Sequence, residues 1–214
     1  MKSALHQQLF PAHGLTVPRI RFKEFTDSWQ SVRLGDVVQI TGGFAFQSSD
    51  YDDDGTFRVV TIANVSGARY IEDLGNNLDI DDPKVIARLS LDKDELLVSL
   101  TGNVGRVSRA TGNNEVLNQR VAKLTPLSAS RDFIEAIVAN PKFEMAMIVA
   151  GQGAAQKNIG NQDVLDYMIQ LPTDSEQSYV GRTIDLIGDY MAIYQFKVAQ
   201  LTRLKNTLLG QMFI

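Results

Sequence analysis

The chain has 214 residues, a formal net charge of −4 and no cysteine. Its length allows one domain of roughly 150 residues with a core of its own, while the missing cysteines exclude disulfides and thiolate metal sites, and two histidines near the start are too few for a metal centre. Because no apolar run approaches a membrane span and residues 1–10 lack a signal peptide's apolar core, we expect a cytoplasmic protein.

Charge is unevenly distributed along the chain. Acidic side chains bunch in residues 50–54, 79–82 and 92–95, whereas residues 106–123 contain three arginines and a lysine against a single glutamate. A net negative charge by itself opposes binding to DNA phosphates. The distribution nevertheless allows a local basic face.

The start of the chain matches its own end. Residues 2–10 and 205–213 share Lys, Leu, Gln and Phe at corresponding positions, and Leu9 aligns with Met212. Such an internal repeat indicates a unit made of a globular module followed by a helix. We therefore interpret residues 1–17 as the tail of a preceding helix with a linker, 18–172 as a globular domain, and 173–214 as a long helix.

Between these ends, short β-rich stretches outnumber helices. Strands are predicted at residues 31–40, 57–65, 96–100, 116–124 and 167–171, and helices at residues 132–149 and 161–165. Glycine-rich loops separate several of these stretches. Several strands without a regular alternation of strand and helix predict the α+β class.

The last forty residues contain the strongest periodic pattern. Apolar side chains there alternate at spacings of four and three, which defines the seam of a coiled coil. The seam consists of Val180, Ile184, Ile187, Met191, Tyr194, Val198, Leu201, Leu208 and Met212. Lys205 interrupts it, and Thr173 with Glu176 predicts a capping box at its start. We expect a long helix that pairs with another helix; packing onto its own domain is the alternative.

Two motifs invite an enzymatic interpretation and do not support one. Asn140-Pro141-Lys142-Phe143 is comparable with the Asn-Pro-Pro-aromatic motif of adenine methyltransferases, but its third residue is lysine and no cofactor-type glycine turn accompanies it. A helix cap at Asn140-Pro141 explains it better. The glycine loops at 102–105 and 151–153 lack the Lys-Ser/Thr of a phosphate-binding loop.

Four blocks spread over nearly the whole chain resemble the specificity subunits of type I restriction-modification systems. They are Pro18-Arg19-Ile20-Arg21-Phe22 with Phe25, Trp29 and Leu34-Gly35-Asp36; Gly151-Gln152-Gly153 with Gln156, Asn158 and Ile159; Leu171-Pro172 with Glu176-Gln177; and Leu201-Thr202-Arg203-Leu204-Lys205 with Leu208-Leu209-Gly210-Gln211-Met212-Phe213. In that family such blocks open and close a target recognition domain and begin and end a conserved coiled-coil helix. Met1 to Pro11 resembles the linker between the two halves of a full subunit.

The resemblance implies a DNA-reading scaffold that is not an enzyme and binds no cofactor itself. Full-length members carry two target recognition domains separated by antiparallel helices, and each domain reads part of a split site on double-stranded DNA. They dock methyltransferase subunits, on which S-adenosylmethionine is expected, and restriction endonuclease subunits in the restriction complex. One recognition domain (18–172) and one spacer helix (173–214) correspond to half a subunit, which implies pairing as a homodimer or with a second specificity half.

Base reading requires bidentate partners, Arg or Lys for guanine and Asn or Gln for adenine. The candidate DNA-binding residues on the loops are Gln47, Ser48, Ser49, Arg106, Arg109, Asn118, Gln119, Arg120, Gln156, Lys157 and Asn158. Two other classes remain open from the sequence: a structural coiled-coil dimerisation protein and, less favoured, a free-standing methyltransferase.

Overall fold

A computed structural model describes residues 8–12, 14–72, 75–152 and 158–212. The strands are β1 (Gln30–Arg33), β2 (Val38–Gly42), β3 (Phe57–Val60), β4 (Asn77–Leu78), β5 (Ser90–Leu91), β6 (Leu96–Ser99), β7 (Val107–Arg109), β8 (Glu115–Leu117), β9 (Val121–Pro126) and β10 (Met168–Leu171). The helices are α1 (Pro83–Leu89), α2 (Arg131–Val138), α3 (Pro141–Ala150), α4 (Asn161–Leu165) and α5 (Asp174–Met212). Strands and helices are mixed without a regular βαβ array, which confirms the α+β class.

The strands form three sheets. One sheet has the antiparallel order β2-β9-β6-β7, and a second has the order β4-β3-β8-β5, in which only β3 and β8 run parallel. A short antiparallel ribbon pairs β1 with β10. The ribbon therefore joins the start of the domain to the strand that leads into α5.

The first of these sheets lies between two apolar cores because successive side chains of a strand point to opposite faces. In β6, Leu96 and Val98 belong to the core shared with the helices, while Leu97 belongs to the core shared with the second sheet. All three side chains are essentially inaccessible. The domain is thus a helix layer, a central sheet and a second sheet.

Two predicted elements are interrupted in the structure. The stretch 31–40 is broken by a 3-10 turn at Leu34–Asp36, which separates β1 from β2. The helix predicted at 132–149 is two helices, because Asn140 caps α3 by accepting a hydrogen bond from the Lys142 amide at 2.9 Å and Pro141 follows at the first helical position. The capping interpretation of the Asn-Pro motif is confirmed.

Two residues in the middle of the segment 1–17, Leu9 and Phe10, pack into the domain core. Leu9 is 4% exposed, and the Phe10 ring lies 5.9 Å from Trp29 and 5.6 Å from Phe133, centroid to centroid. The Ile20 amide donates to the Gln8 carbonyl at 3.0 Å. Leu9 and Phe10 therefore contribute to the core shared with the helices, while residues 1–7 and 213–214 lie outside the described residues.

Helix α5 has 39 residues, which corresponds to about 58 Å at 1.5 Å per residue. Its first turns cross α2 at very short range at Gly181: a Cβ there would lie 2.6 Å from the backbone nitrogen of Phe133. Glycine is required at this crossing because any side chain would force the two helices apart. Beyond residue 191 the side chains described on α5 are exposed.

Candidate nucleic-acid interface

Four loops meet at one edge of the domain and form what we call the loop cluster, residues 42–47, 100–103, 118–120 and 158–161. Phe44 bridges to Asn118, and Thr101 bridges to Asn158. The Arg120 guanidinium donates to the Thr101 hydroxyl at 3.3 Å. The loops are therefore held together by backbone pairing rather than by apolar packing alone.

The close approach of two of these loops depends on a glycine. A Cβ at Gly43 would lie 2.1 Å from the Asn118 carbonyl oxygen, closer than any side chain permits. The amides of Phe44 and Gln119 donate across the same gap, to Leu117 at 3.0 Å and to Phe44 at 2.8 Å. This backbone frame fixes where the side chains of 118–120 emerge.

The loop cluster presents uncharged polar side chains and one arginine. Gln47, Gln119, Arg120 and Asn158 are exposed, and Asn118 is half-buried. These are the residue types that donate to and accept from base edges. Predicted candidates from three separate sequence regions are thus brought to one edge of the domain.

Three further polar residues of the loop cluster were missed from the sequence. Thr101 bridges two of the loops, Asn103 is exposed beside it, and the Asn161 amide lies 3.7 Å from where a Gly42 Cβ would stand. They belong to a turn and a helix start that looked ordinary in isolation. Only contacts between loops that are distant in the sequence reveal their proximity.

Ser48 and Ser49 lie in a less favourable place. Both are exposed in a 3-10 turn, Ser48–Asp50. Ser49 shares a groove with five aspartates, namely Asp50, Asp52, Asp53, Asp54 and Asp79. Because these carboxylates repel phosphate, the side of the loop that carries Ser49 is a less favourable surface for DNA than the loop cluster.

The two arginines predicted from the stretch 106–123 lie apart from the loop cluster. Arg106 is half-buried and its guanidinium is 3.5 Å from the Glu144 carboxylate. Arg109 is 3% exposed and surrounded by carboxylates, so its assignment as a DNA-binding residue is wrong. Tertiary burial of β7 decides this, and the residue type alone could not reveal it. Gln156 and Lys157 lie outside the described residues.

Arg109 is the centre of an ionic network that we call the clasp: Arg69, Arg109, Glu135, Asp185 and Asp189. Arg109 donates to Glu135 at 2.8 Å and to Asp185 at 2.6 Å, and Arg69 donates to Asp185 at 2.9 Å and also contacts Asp189. Burial alone would lower the pKa of Arg109, but its bonds to Glu135 and the nearby acidic charges outweigh burial and raise it. Arg109 therefore stays charged at the centre of the clasp, which joins the domain to α5.

Asp94 flanks the clasp. Its carboxylate is 3.5 Å from Arg109 and accepts a hydrogen bond from the Tyr70 hydroxyl at 2.7 Å. Burial would raise the pKa of Asp94, but the Tyr70 hydrogen bond and the charges of Arg109 and Arg131 lower it. Asp94 is thus held ionised.

A second attachment holds the first turn of α5. The Arg21 guanidinium donates to both carboxylate oxygens of Glu176, at 2.7 and 2.8 Å, and Glu176 is 1% exposed. Gln177 accepts from the Ser130 amide at 2.9 Å and donates to the Pro172 carbonyl at 3.0 Å. The Glu176 carboxylate was predicted to complete a capping box with Thr173. In the structure it accepts hydrogen bonds from Arg21.

The motif blocks at 18–29 and 171–177 contribute contacts that attach α5 to the domain. Besides the pair of Arg21 with Glu176, the rings of Phe22 and Phe25 lie 5.3 and 5.5 Å from Tyr179 on α5. Trp29 is 2% exposed in the core beneath. These residues fix the junction between the domain and α5.

The predicted coiled-coil seam is divided between two environments. Val180 and Ile184 are 2% and 5% exposed in the domain core, so for these two the alternative of packing onto the chain's own domain is correct. Ile187 and Met191 are half-buried. The remaining described seam side chains are more than half exposed; they are Tyr194, Val198, Leu201 and Leu208.

Within the described residues, no three His, Asp or Glu side chains are placed to hold a metal ion. The described helices include none that is long and apolar enough to cross a membrane.

Comparison with known proteins gives one family and one fold. The family model described as "Type I restriction modification DNA specificity domain" matches residues 26–203. None of the curated proteins matches significantly.

Solved structures share the fold at low identity. The HsdS subunit from Thermoanaerobacter tengcongensis matches with a TM-score of 0.67 and 20% identity over 99% of this chain and 49% of that one. A chain from a study of complex assembly and conformational transition of the type I R-M system matches with a TM-score of 0.69 and 19% identity, over 94% of this chain and 47% of that one. The S subunit from M. genitalium matches with a TM-score of 0.54 and 15% identity, over 78% and 41%.

The chain spans about half the length of the subunits it matches, in agreement with one recognition domain and one long helix. Its family model covers most of the globular domain and most of α5. This protein therefore belongs to the type I restriction-modification DNA specificity domain family.

Proposed function

We propose that the chain is the non-catalytic specificity module of a type I restriction-modification complex, and that its loop cluster reads one half of a bipartite DNA site. The observation that carries the proposal is the meeting of Asn118, Gln119, Arg120 and Asn158 at one exposed edge. These side chains can pair bidentately with guanine and adenine in the major groove. In a family named for DNA specificity, that edge is the natural reading surface.

The exposed part of α5 has a separate role in this proposal. Tyr194, Val198, Leu201 and Leu208 form an apolar stripe that water disfavours and that a second helix of the same kind would cover. Pairing with a copy of the chain, or with another specificity half, would place two recognition domains at the two ends of the pair. The helix then sets the distance between the half-sites.

Catalysis and most of the phosphate contacts are assigned to partner subunits. Methyltransferase subunits would dock on the pair and hold S-adenosylmethionine, and endonuclease subunits would join the restriction complex. A net charge of −4 and the aspartates beside Ser49 oppose tight DNA binding by this chain alone. We therefore expect measurable specificity only when the methyltransferase subunit is present.

Arg120→Ala tests this function. A bidentate arginine contact to guanine is worth about 1–3 kcal/mol, so the variant complex should bind its preferred DNA about 5- to 150-fold more weakly and should accept other bases at one position. The measurement is fluorescence anisotropy with a library of duplexes at fixed salt, in the presence of the methyltransferase subunit.

Arg88→Ala is the matched control, since Arg88 is an exposed arginine on α1, outside the loop cluster. It should leave both affinity and base preference as they are. Equal effects of the two substitutions would refute base reading by the loop cluster. Sequence-independent binding of every duplex by the unaltered complex would refute the specificity function itself.

A further inference from the structure

We propose that the clasp is a positioning device that fixes the direction in which α5 leaves the recognition domain, and thereby determines which spacing between two half-sites is accepted. This inference rests on the function proposed above for its link to DNA. Its structural part, the control of the helix direction, stands on the geometry of the described residues alone.

The helix is attached to the domain at two places, and two places are needed to set a direction. The first is the first turn, where Glu176 and Gln177 bind Arg21 and Ser130. The second is the clasp, nine to thirteen residues later, which corresponds to about 14–20 Å along the axis. A rod held at one end can pivot, whereas a rod held at two separated points cannot.

Packing fixes the helix tightly at only part of this contact. At Gly181 the two helices touch, but next to the clasp a cavity of about 120 Å³ separates α5 from the domain. Its walls include Ser108, whose buried hydroxyl has no hydrogen-bond partner among the described residues, and Gly188 on the helix side. The helix is therefore not in close contact along this wall, and the ion pairs bridge a gap that side chains do not fill.

Charge-assisted hydrogen bonds suit this task better than apolar contact. Apolar burial has no preferred direction, whereas guanidinium–carboxylate pairs have fixed geometry. Arg109 is 3% exposed and is held from the domain side by Glu135, so it presents a rigid donor to Asp185. Arg69 extends the contact by one turn, to Asp189.

The part of α5 that extends beyond the clasp is long. From Ala192 to Met212 the helix continues for about 30 Å, carrying the exposed apolar stripe. A change of 10° in its direction would displace its far end by about 5 Å, which is roughly 1.5 base pairs at 3.4 Å per base pair. Loosening the clasp should therefore widen or shift the range of accepted spacers without changing which bases are read.

The structural part is tested by a distance measurement. The chain has no cysteine, so spin labels can be placed at S128C and T207C, both exposed positions, with the labelled protein diluted in unlabelled chain. Double electron–electron resonance should give a narrow distance distribution. In the double variant Asp185→Asn/Asp189→Asn, the distribution of distances between the two labels should shift or broaden by about 5 Å. An unchanged distribution would overturn the proposal.

Two controls separate positioning from general loss of charge or stability. Asp166→Asn removes an exposed carboxylate that lies 3.6 Å from Arg33, away from α5, and should change nothing. Asp189→Glu retains the charge and should stay near the unaltered distribution. A shift in the Asp166 variant equal to that of the clasp variant would overturn the assignment.

The link to DNA is tested by methylation of duplexes whose two half-sites are separated by spacers differing in single base pairs. With the methyltransferase subunit present, the clasp variant should accept spacers one or two base pairs longer or shorter, with unchanged base preference. A changed distance distribution with an unchanged spacer range would overturn the link to spacing. If even the unaltered chain supports no sequence-dependent methylation, the proposed function fails, while the resonance measurement still decides the structural part.

Discussion

A single methyl group placed between α5 and α2 should reveal how closely the long helix is docked. In Gly181→Ala the new Cβ would lie 2.6 Å from the backbone nitrogen of Phe133, whereas ordinary contact begins at 3.4 Å. The helices must therefore separate by about 0.8 Å, and overpacking of a fitted core generally costs about 1–3 kcal/mol.

The same substitution elsewhere in α5 provides the matched control. In Gly188→Ala the nearest atom to the new Cβ is a guanidinium nitrogen of Arg69 at 4.0 Å, so no clash arises. Replacing glycine by alanine inside a helix contributes about 1 kcal/mol of stability. Because this gain applies at both positions, the difference in unfolding free energy between the two variants isolates the clash at Gly181 and should be about 1–3 kcal/mol.

Urea unfolding measures both variants. The only tryptophan in the sequence, Trp29, is buried with its ring centroid 5.8 Å from that of Phe133, so its fluorescence reports on the core beside the crossing. Circular dichroism at 222 nm reports on the helices. We expect the midpoint to fall for Gly181→Ala relative to Gly188→Ala. Equal midpoints, or a higher one for Gly181→Ala, would show that α5 does not cross α2 at this contact.

Three other changes have defined outcomes. The double variant Val198→Asp/Leu201→Asp should abolish self-association in sedimentation velocity and leave the melting temperature of the domain unchanged. The control Gln200→Asp, on the same turn, should leave both self-association and the melting temperature unchanged. A dimer that persists in the double variant would exclude the exposed seam as the contact. Asp94 has a lowered pKa in the folded protein, so its contribution to stability is present above its ordinary pKa of 3.8 and is lost as the pH falls through its pKa in the folded state. Asp94→Asn should therefore flatten the acid side of a plot of unfolding free energy against pH. An unchanged acid side would contradict the lowered pKa. Glu176→Gln removes the charge from a carboxylate that is 1% exposed and should lower the unfolding free energy by about 1.5–3 kcal/mol. A loss below about 0.5 kcal/mol would mean that the ion pair of Glu176 with Arg21 contributes no more than an exposed ion pair.

Local signals in the sequence predicted much of the fold because their physical causes are local. A short apolar run predicted β6, the Asn-Pro pair marked the start of α3, and the heptad pattern predicted α5. Each depends on neighbours within a few residues along the chain. The turn at Leu34–Asp36 was missed because β1 and β2 belong to different sheets, which is a property of the whole domain.

The candidate site was predicted less completely because its members are defined by distant contacts. Arg120 and Arg109 are indistinguishable by residue type and lie in one basic stretch, yet one is exposed and the other is enclosed by Glu135 and Asp185. The seam likewise contains Val180 and Leu201 at equivalent heptad positions, and only the position of the domain decides which of them is buried. Periodicity identifies a helix face and does not identify what covers it.

The burial of Leu9 and Phe10 against Trp29 and Phe133 has a practical consequence for exchanging specificities. A graft of residues 18–172 alone would leave the aromatic core without Phe10 and would separate Arg21 from Glu176. A transplantable unit should instead begin before residue 8 and extend past the clasp to about residue 192. Chimaeras joined at those points carry their whole core and both helix attachments with them, so they should fold in a foreign subunit and bring their own DNA preference along.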